Sequence, residues 1–92
     1  MKKLGLGFIE TRGNAASVEA IDAMVKTADV ELVKKVEIGS ALVTAVVRGE
    51  VGAVKSAIEA GSERAARIGE VICVNVIPSA HDGVFELMDV EK

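Results

Sequence analysis

Four short segments of the chain are rich in β-branched residues, and apolar and polar side chains partly alternate along them. A period of two is typical of a strand, because successive side chains point to opposite faces of the sheet. Glycine, proline or a polar turn bounds each segment, as at the ends of strands. The pattern predicts strands over residues 4–11, 30–38, 42–48 and 71–77.

Two longer segments repeat their apolar residues at steps of three and four, which is the spacing of one helix face. The first covers residues 15–28, with Asn14 as its expected N-cap. Its predicted buried stripe is Val18, Ile21, Val25 and Ala28. The second ends at Gly69, and its stripe is Val51, Val54, Ile58, Gly61, Ala65 and Ile68. A short amphipathic helix is predicted over residues 81–88.

The order of the elements is strand, helix, strand, strand, helix, strand and a helical tail. Two βαβ-like halves joined in this way are typical of the ferredoxin-like α+β sandwich, an antiparallel sheet with both helices on one face. We expect residues 1–92 to form one such domain. Residues such as Val33, Val43 and Ala45, or their alternates, would line the other face. The tail or a partner chain must then cover that face.

Composition and charge narrow the class of partner. The net charge is −3, the basic residues are scattered, and the only aromatic residues are Phe8 and Phe85. We expect no nucleic-acid partner, because such proteins present basic patches and stacking side chains. No uninterrupted apolar run reaches membrane-spanning length, so no membrane association is expected. The lone Cys73 excludes an internal disulfide, is compatible with the reducing cytoplasm, and is predicted to be buried in its strand.

Candidate catalytic chemistry is sparse. His81 is the only histidine and is predicted to be a capping or surface residue. The chain has no Ser-His-Asp candidate, no glycine-rich phosphate loop and no metal-ligand spacing. We therefore expect neither an enzyme nor a cofactor.

Nearly the whole chain resembles one known family. The segments that carry the resemblance are GLGFIETRG at 5–13, DAMVK at 22–26, IGS at 38–40, LVTAVVRGEVGAV at 42–54 and VNVIP at 74–78, with His81 shortly after. They are similar to the first strand, first helix, pore loop, third strand with second helix, and last strand of bacterial microcompartment shell proteins. The likeness is to the single-domain class that forms hexamers.

The resemblance implies a flat hexagonal tile of a microcompartment shell. The loop of residues 37–41 would converge on the sixfold axis and line a pore for small metabolites, through Glu37, Ile38, Gly39, Ser40 and Ala41. Other shell proteins would be neighbours in the wall, and encapsulated enzymes would dock through short helices. The alternative for Gly39 and Ser40 taken alone is an ordinary hairpin turn.

The same resemblance places Lys26, Asp29 and Ser79 at the outer edge, where tiles meet. Two of these positions depart from the family pattern: relatives have arginine at the position of Ser79, and many have asparagine at that of Asp29. Many also have lysine or glutamine at Glu37. One hypothesis is that a glutamate ring biases the pore against anions within the screening length of about 8 Å. The alternative is that Glu37 is a solvated carboxylate at the strand end, too far from the axis to act.

A second hypothesis keeps the topology but changes the function. A small-molecule-binding regulatory module on a ferredoxin-like domain would also explain the chain's size and apolar strands, because this fold hosts many functions. It predicts a ligand at a dimer interface, whereas a shell subunit predicts a sixfold ring.

Overall fold

The computed structural model describes residues 4–39 and 41–89. Every predicted element is present, at bounds close to those expected. The strands are β1 (Gly5–Arg12), β2 (Glu31–Ile38), β3 (Leu42–Gly49) and β4 (Glu70–Ile77), and the helices are α1 (Asn14–Thr27), α2 (Val51–Ile68) and α3 (Asp82–Leu87).

The four strands form one sheet in the order β2-β3-β1-β4, with every neighbouring pair antiparallel. This order, with α1 and α2 on the same face of the sheet, confirms the ferredoxin-like prediction. The strands β2 and β4 are the two edges, and β1 lies opposite β3 along its whole length, from Gly5 with Gly49 to Arg12 with Leu42.

The core between the sheet and the two helices is built on close contact. Ile9 and Ala45 face Val54 and Ile58 of α2 in this core. At Gly7 a Cβ atom would lie only 2.7 Å from Val54 Cγ1 and 2.8 Å from Ile58 Cγ1, so only glycine allows α2 to approach β1 this closely.

The opposite face of the sheet is covered in part by α3. Leu6 and Val46 pack there with Ala80 and Phe85, and Val33 joins them at the margin. The expectation that Val33, Val43 and Ala45 share this face is wrong for Ala45, which belongs to the helix-side core. Val43 lies two residues away on the same strand and therefore on the same side as Ala45.

The tail is held on the sheet by polar contacts. Lys34 Nζ donates a hydrogen bond of 2.7 Å to the carbonyl oxygen of Met88. His81 is the N-cap of α3 and its Nδ1 accepts from the backbone N–H of Gly83 at 2.9 Å, which confirms the predicted capping role. Cys73, predicted to be buried, is exposed. Its strand is a sheet edge, and it pairs with Glu10 on the face that α3 leaves open there.

The buried face of α1 differs from the predicted stripe. Val18 and Val25 are 49% and 44% exposed, and the residues of α1 that are buried are Ala16, Ser17, Ala20, Ala23 and Met24. The small residues allow α1 to lie close against α2, where a Cβ on Gly61 would meet Met24 Cγ at 2.6 Å. Both stripes have helical spacing, and close packing between the helices selects the smaller one.

Ser17 is the odd member of this buried face. Its side chain is fully buried, and its Oγ finds no hydrogen-bond partner within residues 4–39 and 41–89. We expect Ser17→Ala to raise the free energy of unfolding by about 1–2 kcal/mol, because the substitution removes an unsatisfied buried hydroxyl. Urea denaturation at one protomer concentration measures the change.

Ser56→Ala on the exposed side of α2 is the matched control. It makes the same chemical change at a solvated position, so only helix propensity contributes, about 0.5 kcal/mol or less. Equal increases in the free energy of unfolding for the two variants would show that burial of the Ser17 hydroxyl does not destabilise the fold.

Candidate functional site

The connection between β2 and β3 carries the residues predicted to line a pore. Glu37 and Ile38 are the last two residues of β2, and they pair with Val43 and Leu42 of β3. Ile38 is 55% exposed, which is high for a large apolar side chain in a strand. The connection is therefore a prominent, partly apolar projection at one end of the sheet.

Three residues close this connection. Gly39 and Ala41 are exposed turn residues, and Ser40, also predicted to line the pore, lies outside the described residues. Ala41 has φ +64°, a left-handed conformation that non-glycine residues adopt at a cost. Its carbonyl oxygen accepts a 2.6 Å hydrogen bond from the backbone N–H of Gly13, so the loop is tied to the turn between β1 and α1.

Lys35, which was not among the predicted pore residues, makes two polar contacts beside the loop. Lys35 Nζ lies 2.5 Å from Asn14 Oδ1 and 3.3 Å from Glu37 Oε1. The prediction that Asn14 is the N-cap of α1 is wrong: the helix begins at Asn14, and its N-cap is Gly13, which has no side chain to cap with. The Asn14 side chain contacts Lys35. The sequence could have predicted the contact between Lys35 and Glu37, because residues two apart in a strand point to the same face of the sheet.

The predicted edge residues are all exposed. Lys26 lies in the last turn of α1, where its Nζ is 3.0 Å from Asp22 Oδ2 and its side chain is 71% exposed. Asp29 lies in the connection from α1 to β2, and Ser79 in the connection from β4 to α3. Ser79 can form hydrogen bonds but no ion pair, since a serine hydroxyl carries no charge.

The edge residues lie together at the end of the sheet opposite the loop. The backbone N–H of Ala80, next to Ser79, donates to the carbonyl oxygen of Leu4 at the start of β1. Gly5 pairs with Gly49, whose Cα lies beside the Asp29 carbonyl, since a Cβ built there would be 3.1 Å away. Strands of eight residues separate the two ends by roughly 25 Å.

A recess of about 540 Å³ opens at this same end. Three carboxylates and one guanidinium line it, and Arg48 Nη2 lies 2.6 Å from Glu31 Oε2. Within the described ranges, no three histidine, cysteine or acidic residues are grouped to hold a metal ion. No helix among the described residues is long and apolar enough to span a membrane.

The chain matches one protein family over most of its length. The family is the BMC domain, and the match covers residues 5–80. The chain is 51% identical over 88 residues to the bacterial microcompartment shell protein PduA of Citrobacter freundii, a match that covers 96% of this chain and 95% of that protein. It is 52% identical over 85 residues to the shell protein EutM of Escherichia coli K12, covering 92% and 88% of the two chains.

One further sequence relative and one solved structure also belong to microcompartment or carboxysome proteins. The carboxysome shell protein CsoS1B of Hydrogenovibrio crunogenus is 41% identical over 90 residues, covering 97% of this chain and 93% of that one. A solved microcompartment protein from Desulfitobacterium hafniense DCB is similar with a TM-score of 0.81 and 30% identity over 89% of this chain; the chain spans 44% of that structure's length. These similarities do not support the regulatory-module hypothesis.

The backbone at Ala41 provides a test of the loop's geometry. We expect Ala41→Gly to raise the free energy of unfolding by about 0.5–1 kcal/mol, because relief of the left-handed conformation outweighs the entropy that glycine adds to the unfolded chain. Gly13→Ala should act in the opposite direction, since Gly13 has φ +98° and a Cβ there would touch nothing within 4 Å. Urea denaturation measures both. Destabilisation by Ala41→Gly would contradict the left-handed turn.

Proposed function

The chain belongs to the BMC-domain family of bacterial microcompartment shell proteins, and from this premise we propose how it is used. Six copies form a hexameric tile of the shell. The loop of residues 37–41 converges on the sixfold axis as a pore for small metabolites, and Lys26, Asp29 and Ser79 lie at the periphery, where tiles meet.

One observation carries the proposal: the loop and the edge residues lie at opposite ends of the same sheet, about 25 Å apart. A tile with a pore requires such an arrangement, because one end of each subunit must reach the axis while the other meets the next tile. In a cyclic assembly each subunit contributes the same loop, so an exposed loop becomes a ring.

Exposed apolar side chains support assembly. Large apolar side chains that are exposed in one chain become buried where copies of the chain meet. Within residues 4–39 and 41–89, the large apolar residues classed as exposed in the single chain are Val18, Val25, Leu32, Ile38, Ile68, Ile72, Val74 and Leu87. They occur on α1, on both edge strands, at the end of α2 and on α3. Burial of many of them against neighbouring copies would offset the small core of a chain of 92 residues.

The proposed partners follow from this role. They are further copies of the chain, other shell proteins of the same compartment, enzymes enclosed by the shell that dock through short helices, and metabolites that cross the pore. The relatives reported above are structural shell proteins. We propose that this chain likewise has a structural role and no catalytic one, as a single domain located in the shell.

The chain departs from its family's pattern most clearly at the proposed edge, where Ser79 stands in place of arginine. The guanidinium that relatives present after the last strand can form a bidentate contact across the tile boundary, and the Ser79 hydroxyl cannot replace it. Lys26 remains, but its ion pair with Asp22 is exposed and contributes little. We infer that hexamers form but tile into flat sheets less readily than those of relatives with arginine.

The oligomeric state tests the proposal directly. Native mass spectrometry is expected to give six times the chain mass of 9.6 kDa, and negative-stain images should show sixfold particles. A monomer or dimer at the same protein concentration would contradict the hexameric tile.

Tiling is tested by Ser79→Arg. The variant should assemble into sheets or tubes at a lower protein concentration than the native chain, because it regains the bidentate edge donor. Sedimentation and electron microscopy across a concentration series measure this. The matched control is Ser56→Arg, which adds the same charge on the exposed side of α2. If both variants tile equally, the effect comes from net charge and not from the edge contact.

A further inference from the structure

Lys35 is fixed beside the loop more firmly than the other charged residues there. Its ammonium lies between the Asn14 amide oxygen, at 2.5 Å, and the Glu37 carboxylate, at 3.3 Å. The Lys35 side chain is only 28% exposed, while that of Glu37 is 62% exposed. The two polar partners therefore define the position of the ammonium, although its hydrogen bond with Asn14 lies at the surface, and the carboxylate of Glu37 projects into solvent.

Charged residues lie on both faces at the loop end of the sheet, and the Lys35–Glu37 pair belongs to only one of them. Lys35 and Glu37 form one pair on the face that carries α1, because both side chains point to that side of β2. On the other face, Arg12 Nε lies 3.0 Å from Glu70 Oε1. Glu10 lies on this second face as well, where it accepts a hydrogen bond of 3.3 Å from the Thr44 hydroxyl. On the face that carries α1, the charges of Lys35 and Glu37 sum to zero.

We propose that Lys35 is a specificity-determining residue of the pore: its ammonium neutralises Glu37, so the pore mouth is close to neutral and discriminates weakly between small anions and cations. Asn14 is a positioning residue that holds the ammonium in place. This inference rests on the proposed function, since it requires that residues 37–41 form the rim of a sixfold pore.

In a sixfold ring each charge is present six times, so the loss of one compensating residue per subunit changes the charge at the pore mouth by six units. Removal of Lys35 leaves six uncompensated glutamates around one axis, and removal of Glu37 leaves six uncompensated lysines. Each charge is screened over a Debye length of about 8 Å at physiological salt, which is comparable to the size of a small pore mouth. Six screened unit charges acting together change the ratio of cation to anion permeability by roughly fivefold or more.

The experiment compares variants by ion selectivity. Assembled protein is sealed as a layer over an aperture, and the reversal potential under a KCl gradient gives the permeability ratio of K⁺ to Cl⁻. The variants are Lys35→Met, Glu37→Gln and the double variant. Lys55→Met is the matched control, because it removes the same charge from an exposed position on α2, near the other end of the sheet. Native mass spectrometry verifies that each variant remains hexameric.

The expected pattern has opposite signs for the two single variants. Lys35→Met should raise the K⁺ to Cl⁻ ratio by roughly fivefold or more, and Glu37→Gln should lower it by a similar factor. The double variant and Lys55→Met should stay near the native ratio. If Lys35→Met does not assemble, Lys35→Gln removes the same charge and serves in its place.

Two kinds of failure are distinguishable. If native hexamers conduct but Lys35→Met leaves the ratio at the native value, the role of Lys35 is overturned and the pore stands. If native layers of verified hexamers show no conductance, the pore itself is overturned, and the role of Lys35 with it. A native ratio that strongly favours K⁺ would also overturn the proposal, because it would show that Lys35 does not compensate Glu37.

Discussion

The close contact of the two long helices with the sheet and with each other determines the shape of the domain. Where α2 crosses β1, Gly7 leaves no room for a Cβ, and Gly61 is in the same position against Met24 of α1. Five of the eleven buried residues in the helix-side core are alanines. With so little side-chain volume between the layers, the Cα atoms span only 16 Å in the thinnest direction, against 38 and 27 Å in the other two. A slab of this kind has two distinct ends, and the candidate sites occupy them.

The elements and their order could be predicted from the sequence, because strand and helix periods differ and the turns carry glycine or proline. The helix-side face of α1 could not. The pattern contains two stripes at helical spacing, and hydrophobicity favours the one with Val18 and Val25. The structure buries the alanine stripe instead. Which stripe is buried depends on the small residues of α2 that lie opposite, and that pairing is a tertiary property.

The candidate site could be predicted only in part, because some of its contacts also depend on tertiary structure. Its residues came from resemblance to a family, and local patterns placed them on a strand end, a loop and a helix end. The contact of Lys35 with Asn14 joins β2 to the start of α1 over 21 positions of the chain, so strand alternation alone could show only that Lys35 and Glu37 share a face. The exposure of Cys73 likewise follows from strand order, which makes β4 an edge.

The ion pairs at the two ends of the slab differ in how firmly they are held, because their lysine side chains differ in exposure. At the loop end the Lys35 side chain is 28% exposed and its ammonium has a second partner in Asn14, so two contacts within the single chain define its position. At the edge the Lys26 side chain is 71% exposed and its pair with Asp22 is a solvated contact within one helix, worth about 0.3–0.5 kcal/mol. Such a pair is readily exchanged for a contact with another molecule. The proposed assembly requires this difference, because the pore axis would be the same in every tile while the neighbour across the proposed edge could be a different shell protein.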